Sequence, residues 1–170
     1  MELFSPKYET RFIEQIVKNL KTYLEAKEGP ALQWANYGEL MEPTKVWRVS
    51  RWFNTLFPVT SIIPISTVPA EADDASRINE VHTILLETEI DGSNPDQISS
   101  AICRRINAYD ALLRKIGKLE LLGGLNLDVV GGEWMDIGKH NYQYFAQSPT
   151  LYKLSANFEL TIKVIEGRSR

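Results

Sequence analysis

Tyr152-Lys153-Leu154-Ser155-Ala156-Asn157-Phe158-Glu159-Leu160-Thr161-Ile162-Lys163-Val164 alternates apolar and polar residues without a break. Tyr152, Leu154, Ala156, Phe158, Leu160, Ile162 and Val164 share one face. Lys153, Ser155, Asn157, Glu159, Thr161 and Lys163 share the other. A period of two admits no helical reading, so this stretch is an amphipathic β-strand. At about 3.3 Å per residue it spans roughly 40 Å, beyond the usual five or six residues. One face is expected to pack under helices, and the other to meet water or another chain. A long strand left at a sheet edge is a template for pairing, and closed symmetric assembly uses such an edge without forming fibres.

The rest of the chain supplies the partners of that strand. Ser5 and Pro6 offer a helix start, and Phe12, Ile13, Ile16, Val17, Leu20 and Leu24 recur at helical spacing. Gly29-Pro30 is the expected end, which predicts one helix over 6–27. Short strands are expected within 46–53. Residues 57–65, rich in branched side chains and flanked by Pro58 and Pro64, read as a strand at an edge or bounded by its prolines. Residues 66–77 read as an acidic loop and 78–90 as a second long strand. Asn94 caps a second helix opened by Pro95 and Asp96, with Ile98, Ile102, Ile106, Tyr109, Leu112, Leu113 and Ile116 as its stripe and Gly117 as its end. Residues 125–130 form another strand, which Gly131-Gly132 interrupts with a bulge or hairpin turn. A polar, tyrosine-rich loop is expected over 138–149.

The element order is helix, two strands, helix, two strands. It predicts an α+β fold: an antiparallel or mixed sheet of four to five strands with two amphipathic helices on one face, in a single domain over 1–170. At 170 residues such a fold removes roughly 70% of the unfolded chain's surface from water, enough for a core without staples.

Charge argues against a grip on nucleic acid. The chain carries 19 Lys plus Arg against 22 Asp plus Glu, a formal net charge of −3, where phosphate-binding proteins show a basic excess or stripe. Arg104, Arg105, Arg114, Lys115 and Lys118 fall on the second helix and read as its wet face. Trp34, Trp47 and Trp52 alternate with Lys45, Arg48 and Arg51, a pattern that can stack bases. The acidic balance favours instead a core edge with arginines laid over it. The single cysteine, Cys103, excludes an internal disulfide and a cysteine-rich zinc site. No basic-then-apolar start marks a signal peptide, and no apolar run is long enough for a membrane span.

The same chain offers no catalytic constellation. His82 lies in a strand and His140 in the polar loop, neither at a metal-ligand spacing from another ligand. Cys103 reads as a small, half-buried side chain rather than an activated thiol. The paired glycines at 123–124 and 131–132 form no phosphate loop, and no serine sits in a nucleophile elbow. No catalytic residue, metal ligand or cofactor is therefore expected.

One resemblance covers most of the chain. The N-terminal helix is followed by Leu56-Phe57-Pro58-Val59-Thr60-Ser61-Ile62-Ile63-Pro64, an acidic loop and a long strand over 81–90. Asp91-Gly92-Ser93-Asn94-Pro95 then opens a helix, and the long amphipathic strand closes the order. This resembles the tail terminator (tail completion) proteins of long-tailed bacteriophages. The resemblance implies a structural virion protein, assembled in the host cytoplasm as a six-membered ring at the head-proximal end of the tail. Such a ring ends tail tube growth, contacts the tail tube protein and the head-completion or connector protein, and lets DNA pass its lumen without specific binding. The resemblance implies no enzymatic activity. Glu71, Asp73 and Asp74 would then suit a lumen or tube-facing surface, and Lys153, Ser155, Asn157, Glu159 and Thr161 an inter-subunit sheet face. Two other readings are another virion component, such as a tail tube or neck protein, and a small-molecule-binding enzyme whose site is unrecognised.

The two faces of the closing strand are separable by substitution. Leu160→Asp places an unpaired carboxylate in the core, costs several kcal/mol, and should abolish the folded circular dichroism spectrum. Glu159→Lys should leave that spectrum intact. Equal behaviour of the two variants would reverse the face assignment.

Overall fold

The computed structural model describes residues 11–33, 41–50, 56–69, 79–146 and 148–166. Within them lie three helices, α1 (Arg11–Leu32), α2 (Pro95–Leu113) and α3 (Lys118–Leu122), and seven strands. The strands are β1 (Val46–Arg48), β2 (Val59–Pro69), β3 (Asn79–Gly92), β4 (Leu127–Val129), β5 (Met135–Ile137), β6 (Asn141–Ala146) and β7 (Tyr152–Glu166). They build one mixed sheet in the order β1-β2-β3-β7, with β4, β5 and β6 all paired to the far side of β7. Only β1 and β2 run parallel. The α+β expectation stands, with more strands than the four to five read from the sequence and with α3 as an additional helix.

The closing strand keeps its alternation but not an edge position. β7 pairs with β3 along its length, from Asn79↔Ile165 to Gly92↔Tyr152, and with β4, β5 and β6 on its other side. It is interior. Its even-numbered residues, Leu154 to Val164, lie beside Ile84, Leu86 and Ile90 of β3 and form the floor of one continuous buried cluster. Ile16, Leu20 and Leu24 of α1, Ile98, Ile102, Ile106 and Leu113 of α2, and Leu121 and Leu122 of α3 cover that floor. Side-chain hydrogen bonds fix the helices to one another. The Tyr23 hydroxyl donates to the Leu112 carbonyl at 2.7 Å, and Asn19 Nδ2 to the Leu121 carbonyl at 2.8 Å.

Local chemistry accounts for the helix ends. The Asn94 side chain accepts from the amides of Asp96 and Gln97, and Pro95 opens α2, as the turn sequence predicts. The end differs: α2 stops at Leu113, and Gly117 instead caps the start of α3, its amide donating to Glu120 Oε1 at 3.1 Å. α1 runs through Gly29-Pro30 to Leu32 rather than ending near Lys27. Pro30 removes one intrahelical donor, but Leu24, Glu28 and Leu32 are all buried at spacings of four. Tertiary burial overrides the local stop signal. The start expected at Ser5 and Pro6 lies outside the described residues.

The last third of the chain departs furthest from the expected elements. β4, β5 and β6 are segments of one interrupted strand that runs antiparallel along β7, pairing in turn with 164–166, 160–162 and 152–157. Gly131, with φ of 69°, makes the first interruption. The glycine pair is thus a bulge-like break, not a hairpin turn. The Val130 amide donates to the Lys163 carbonyl at 3.1 Å and the Gly138 amide to the Glu159 carbonyl at 2.8 Å, which keeps the broken strand on β7. Residues 141–146, expected within a polar loop, form β6. Asn141-Tyr142-Gln143-Tyr144 alternates with period two and is rich in strand-forming tyrosine, a signal masked by its polarity.

Candidate functional site

The most concentrated chemistry in the described residues is a buried polar cluster where α1, α2, β2, β3 and the segment before β1 meet. Glu28, Thr60, Thr88, Arg105 and Tyr109 are all buried. The Glu28 carboxylate accepts from the Thr44 amide at 2.7 Å, the Thr44 hydroxyl at 3.0 Å and the Tyr109 hydroxyl at 2.7 Å. Arg105 donates through Nη1 to the Glu42 carbonyl at 2.7 Å, through Nη2 to Tyr109 Oη and Thr44 Oγ1 at 3.2 Å each, and through Nε to Thr88 Oγ1 at 3.3 Å. Thr60 Oγ1 sits 2.6 Å from Thr44 Oγ1 and 3.0 Å from Tyr109 Oη. Burial pushes the Tyr109 hydroxyl above its ordinary pKa while Arg105 pulls it down, so at neutral pH it remains a donor to Glu28. A buried carboxylate with three donors and a buried guanidinium with several acceptors are satisfied charges. The arrangement clamps residues 42–45 onto the helix pair.

This cluster corrects the reading of the basic residues. Arg114, Lys115 and Lys118 are exposed as expected and Arg104 is half-buried, but Arg105 is wholly buried. Its position was legible: Ile102, Arg105 and Tyr109 follow at spacings of three and four, on the buried stripe of α2. Glu28 likewise continues the stripe of α1 four residues after Leu24. For both residues position on the stripe outweighs charge type. Cys103, expected half-buried, is exposed.

A second polar group occupies the sheet face away from the helices. Arg48, Ser61, Glu87 and Asn157 stand in one register row, and Val46, Val59, Glu89 and Ser155 in the next. Arg48 Nη2 meets Glu89 Oε2 at 2.6 Å and its Nε donates to Ser61 Oγ at 2.5 Å. Lys153 Nζ lies 3.7 Å from Glu89 Oε1 and 5.1 Å from the centre of the Phe145 ring. Of the sheet-face residues singled out from the sequence, Ser155 and Asn157 are therefore buried, Lys153 and Thr161 are half-buried and Glu159 is exposed. Trp47 is half-buried against the core, and Arg48, on the opposite face of the sheet, is ion-paired with Glu89. Trp34, Trp52, Glu71, Asp73 and Asp74 lie outside the described residues.

Among the described residues no three His, Cys, Asp or Glu side chains converge. His140 Nε2 is 2.7 Å from Asp110 Oδ2, and the same carboxylate accepts from Arg114 Nε at 2.5 Å. His82, on the helix side of β3, is buried; its Nδ1 is 2.8 Å from Thr67 Oγ1, and Glu80 Oε2 lies 3.2 Å from Nε2 without hydrogen-bond alignment. Burial lowers the His82 pKa to about 4 and raises that of Glu80.

Two measurements follow from these environments. Tyr109→Phe removes a donor to a buried carboxylate and should lower the urea unfolding free energy by roughly 2 kcal/mol. An unchanged value would remove the clamp from the structure's stability. For His82, the unfolded state binds more protons than the folded state between pH 4 and 6.5, so its contribution is intact above pH 6.5 and is lost as the pH falls toward 4. Glu80, raised by burial, acts in the opposite sense. Comparing wild type with His82→Gln isolates the histidine part. Across that window wild type should lose on the order of 2 kcal/mol more than the variant.

No family model matches the chain, and no curated protein matches it. Among solved structures, a chain from the virion of a native gene transfer agent particle is similar at 14% identity, over 85% of this chain and 97% of that one, with a TM-score of 0.39. A likeness of that size establishes neither family nor role.

Proposed function

We propose that this chain is a structural virion protein of a long-tailed phage or phage-like particle, acting as a tail terminator. In this reading copies form a ring, of six subunits, at the head-proximal end of the tail. The ring ends growth of the tail tube, joins the tail to the head-completion or connector protein, and leaves an open lumen for DNA. The observation that carries the reading is the element order. An N-terminal helix, a pair of long antiparallel strands, a helix opened by Asn94-Pro95 and a long closing strand all stand in the structure in the order on which the resemblance rests. The acidic segment with Glu71, Asp73 and Asp74 follows β2, and we assign it to the lumen or the tube-facing surface. The charged groups at the centre of the fold, Glu28 and Arg105, are occupied in holding it together, which suits a scaffold rather than a catalyst.

Electron microscopy of particles made without this gene tests the role. Tails of uncontrolled length, lacking heads, are expected. Tails absent altogether would sink the terminator reading and favour a tube component instead.

A further inference from the structure

The two outer edges of the sheet differ in a way that bears on how copies meet. Register runs straight across five strands: Val46↔Val59↔Glu89↔Ser155↔Gln143, and beside it Trp47↔Thr60↔Thr88↔Ala156↔Tyr142. Among the described residues β1 ends these rows on one side and β6 on the other, at the same height along the strands. β1 is parallel to β2, and each later step, to β3, β7 and β6, is antiparallel. β6 therefore runs opposite to β1. Laid edge to edge, β6 of one copy and β1 of another are antiparallel and level.

Elsewhere the sheet edge is blunted. Beyond β1, the outer half of β2 carries Pro64, an irregularity at Ile65 and Pro69. Proline and bulges are the devices by which natural sheets prevent edge pairing. β6 has neither. Asn141–Ala146 contains no proline and no charge, and Tyr142, Tyr144 and Phe145 are 48%, 51% and 43% exposed. At the β1 end Val49 is 52% exposed. The charge on β1, Arg48, already has Glu89 as its partner, so an uncharged strand can approach it without leaving a buried charge unmet.

We propose that a second copy of this chain docks on the β6 edge through its β1 strand, so that the sheet continues from subunit to subunit. The inference deepens the ring reading above and rests on it for closure. Two different edges of one chain make a head-to-tail contact, the kind that closes into rings. Pairing of β6 with another β6 would give a two-fold dimer and stop. In the level register Trp47 of one copy lies beside Tyr142 of the next on the helix side, an aromatic cross-strand pair. Val46 lies beside Gln143 on the other face. Because β6 is uncharged, the contact should respond weakly to salt.

Cysteine cross-linking reads the contact directly. In a Cys103→Ser background, which removes the exposed native thiol, Val46→Cys and Gln143→Cys are combined in one chain and oxidised at high protein concentration. Directly opposed strand residues sit about 4.5–5.5 Å apart between Cα atoms, within disulfide reach. The double variant should give a ladder of covalent multimers on a non-reducing gel, and each single variant monomer alone. A ladder of open chains without rings under the electron microscope would keep the joint and overturn the ring. Rings that form without any cross-link would overturn the joint and keep the ring. A covalent dimer from Gln143→Cys alone would replace the joint with two-fold β6 pairing, and monomer throughout on the gel with no rings under the electron microscope would overturn both.

Discussion

The ladder between β3 and β7 constrains everything else in this structure. It joins the two longest strands over all 14 residues of β3, and the pleat then forces every second side chain onto the same side. Ile84, Leu86 and Ile90 of β3 stand with Leu154, Ala156, Phe158, Leu160, Ile162 and Val164 of β7 as one apolar floor. Each large side chain buried there contributes about 1.5–3 kcal/mol relative to exposure, an upper figure because unfolded chains are themselves partly collapsed. A floor of this size has to be covered. The stripes of α1 and α2 and the short α3 do so, and with both strand ladders of β7 occupied its neighbours are all fixed by register.

Within that apolar layer the Glu28, Arg105 and Tyr109 cluster is a deliberate exception. Its charges would cost several kcal/mol each if left unmet in the interior. They are met by hydroxyls and backbone groups from two helices, two strands and the segment before β1, so the cluster forms only when all of those parts are in place. That dependence makes it a specificity device: it fixes where residues 42–45 sit, and hence where β1 begins. Position of β1 in turn decides how one edge of the sheet is presented.

The edges are where structure meets proposed function. A sheet of this width has two, and they have been treated differently. Pro64, the irregularity at Ile65 and Pro69 close the outer half of β2 to pairing, while β6 presents uncharged, aromatic-rich residues. A protein whose role is to join copies into a closed ring needs an edge that is available in one direction and blocked elsewhere, because unrestricted edges lead to fibres rather than rings.

Much of this was legible in the sequence, for reasons of period and local chemistry. The alternation over 152–164 determined a strand and both of its faces, since a period of two has one structural meaning. Asn94-Pro95-Asp96 determined the start of α2, because the cap is made by residues adjacent in the chain. Three things were decided only by tertiary structure. β7 became interior because β4, β5 and β6, too short and polar to stand out singly, gather along it as one broken strand. α1 outran Gly29-Pro30 because burial of Glu28 and Leu32 outweighs the loss of one intrahelical donor. Arg105 stands on the buried stripe that the spacing of α2 marks, but what lets its charge stay inside, the groups of Glu42, Thr44 and Thr88, comes from distant parts of the chain.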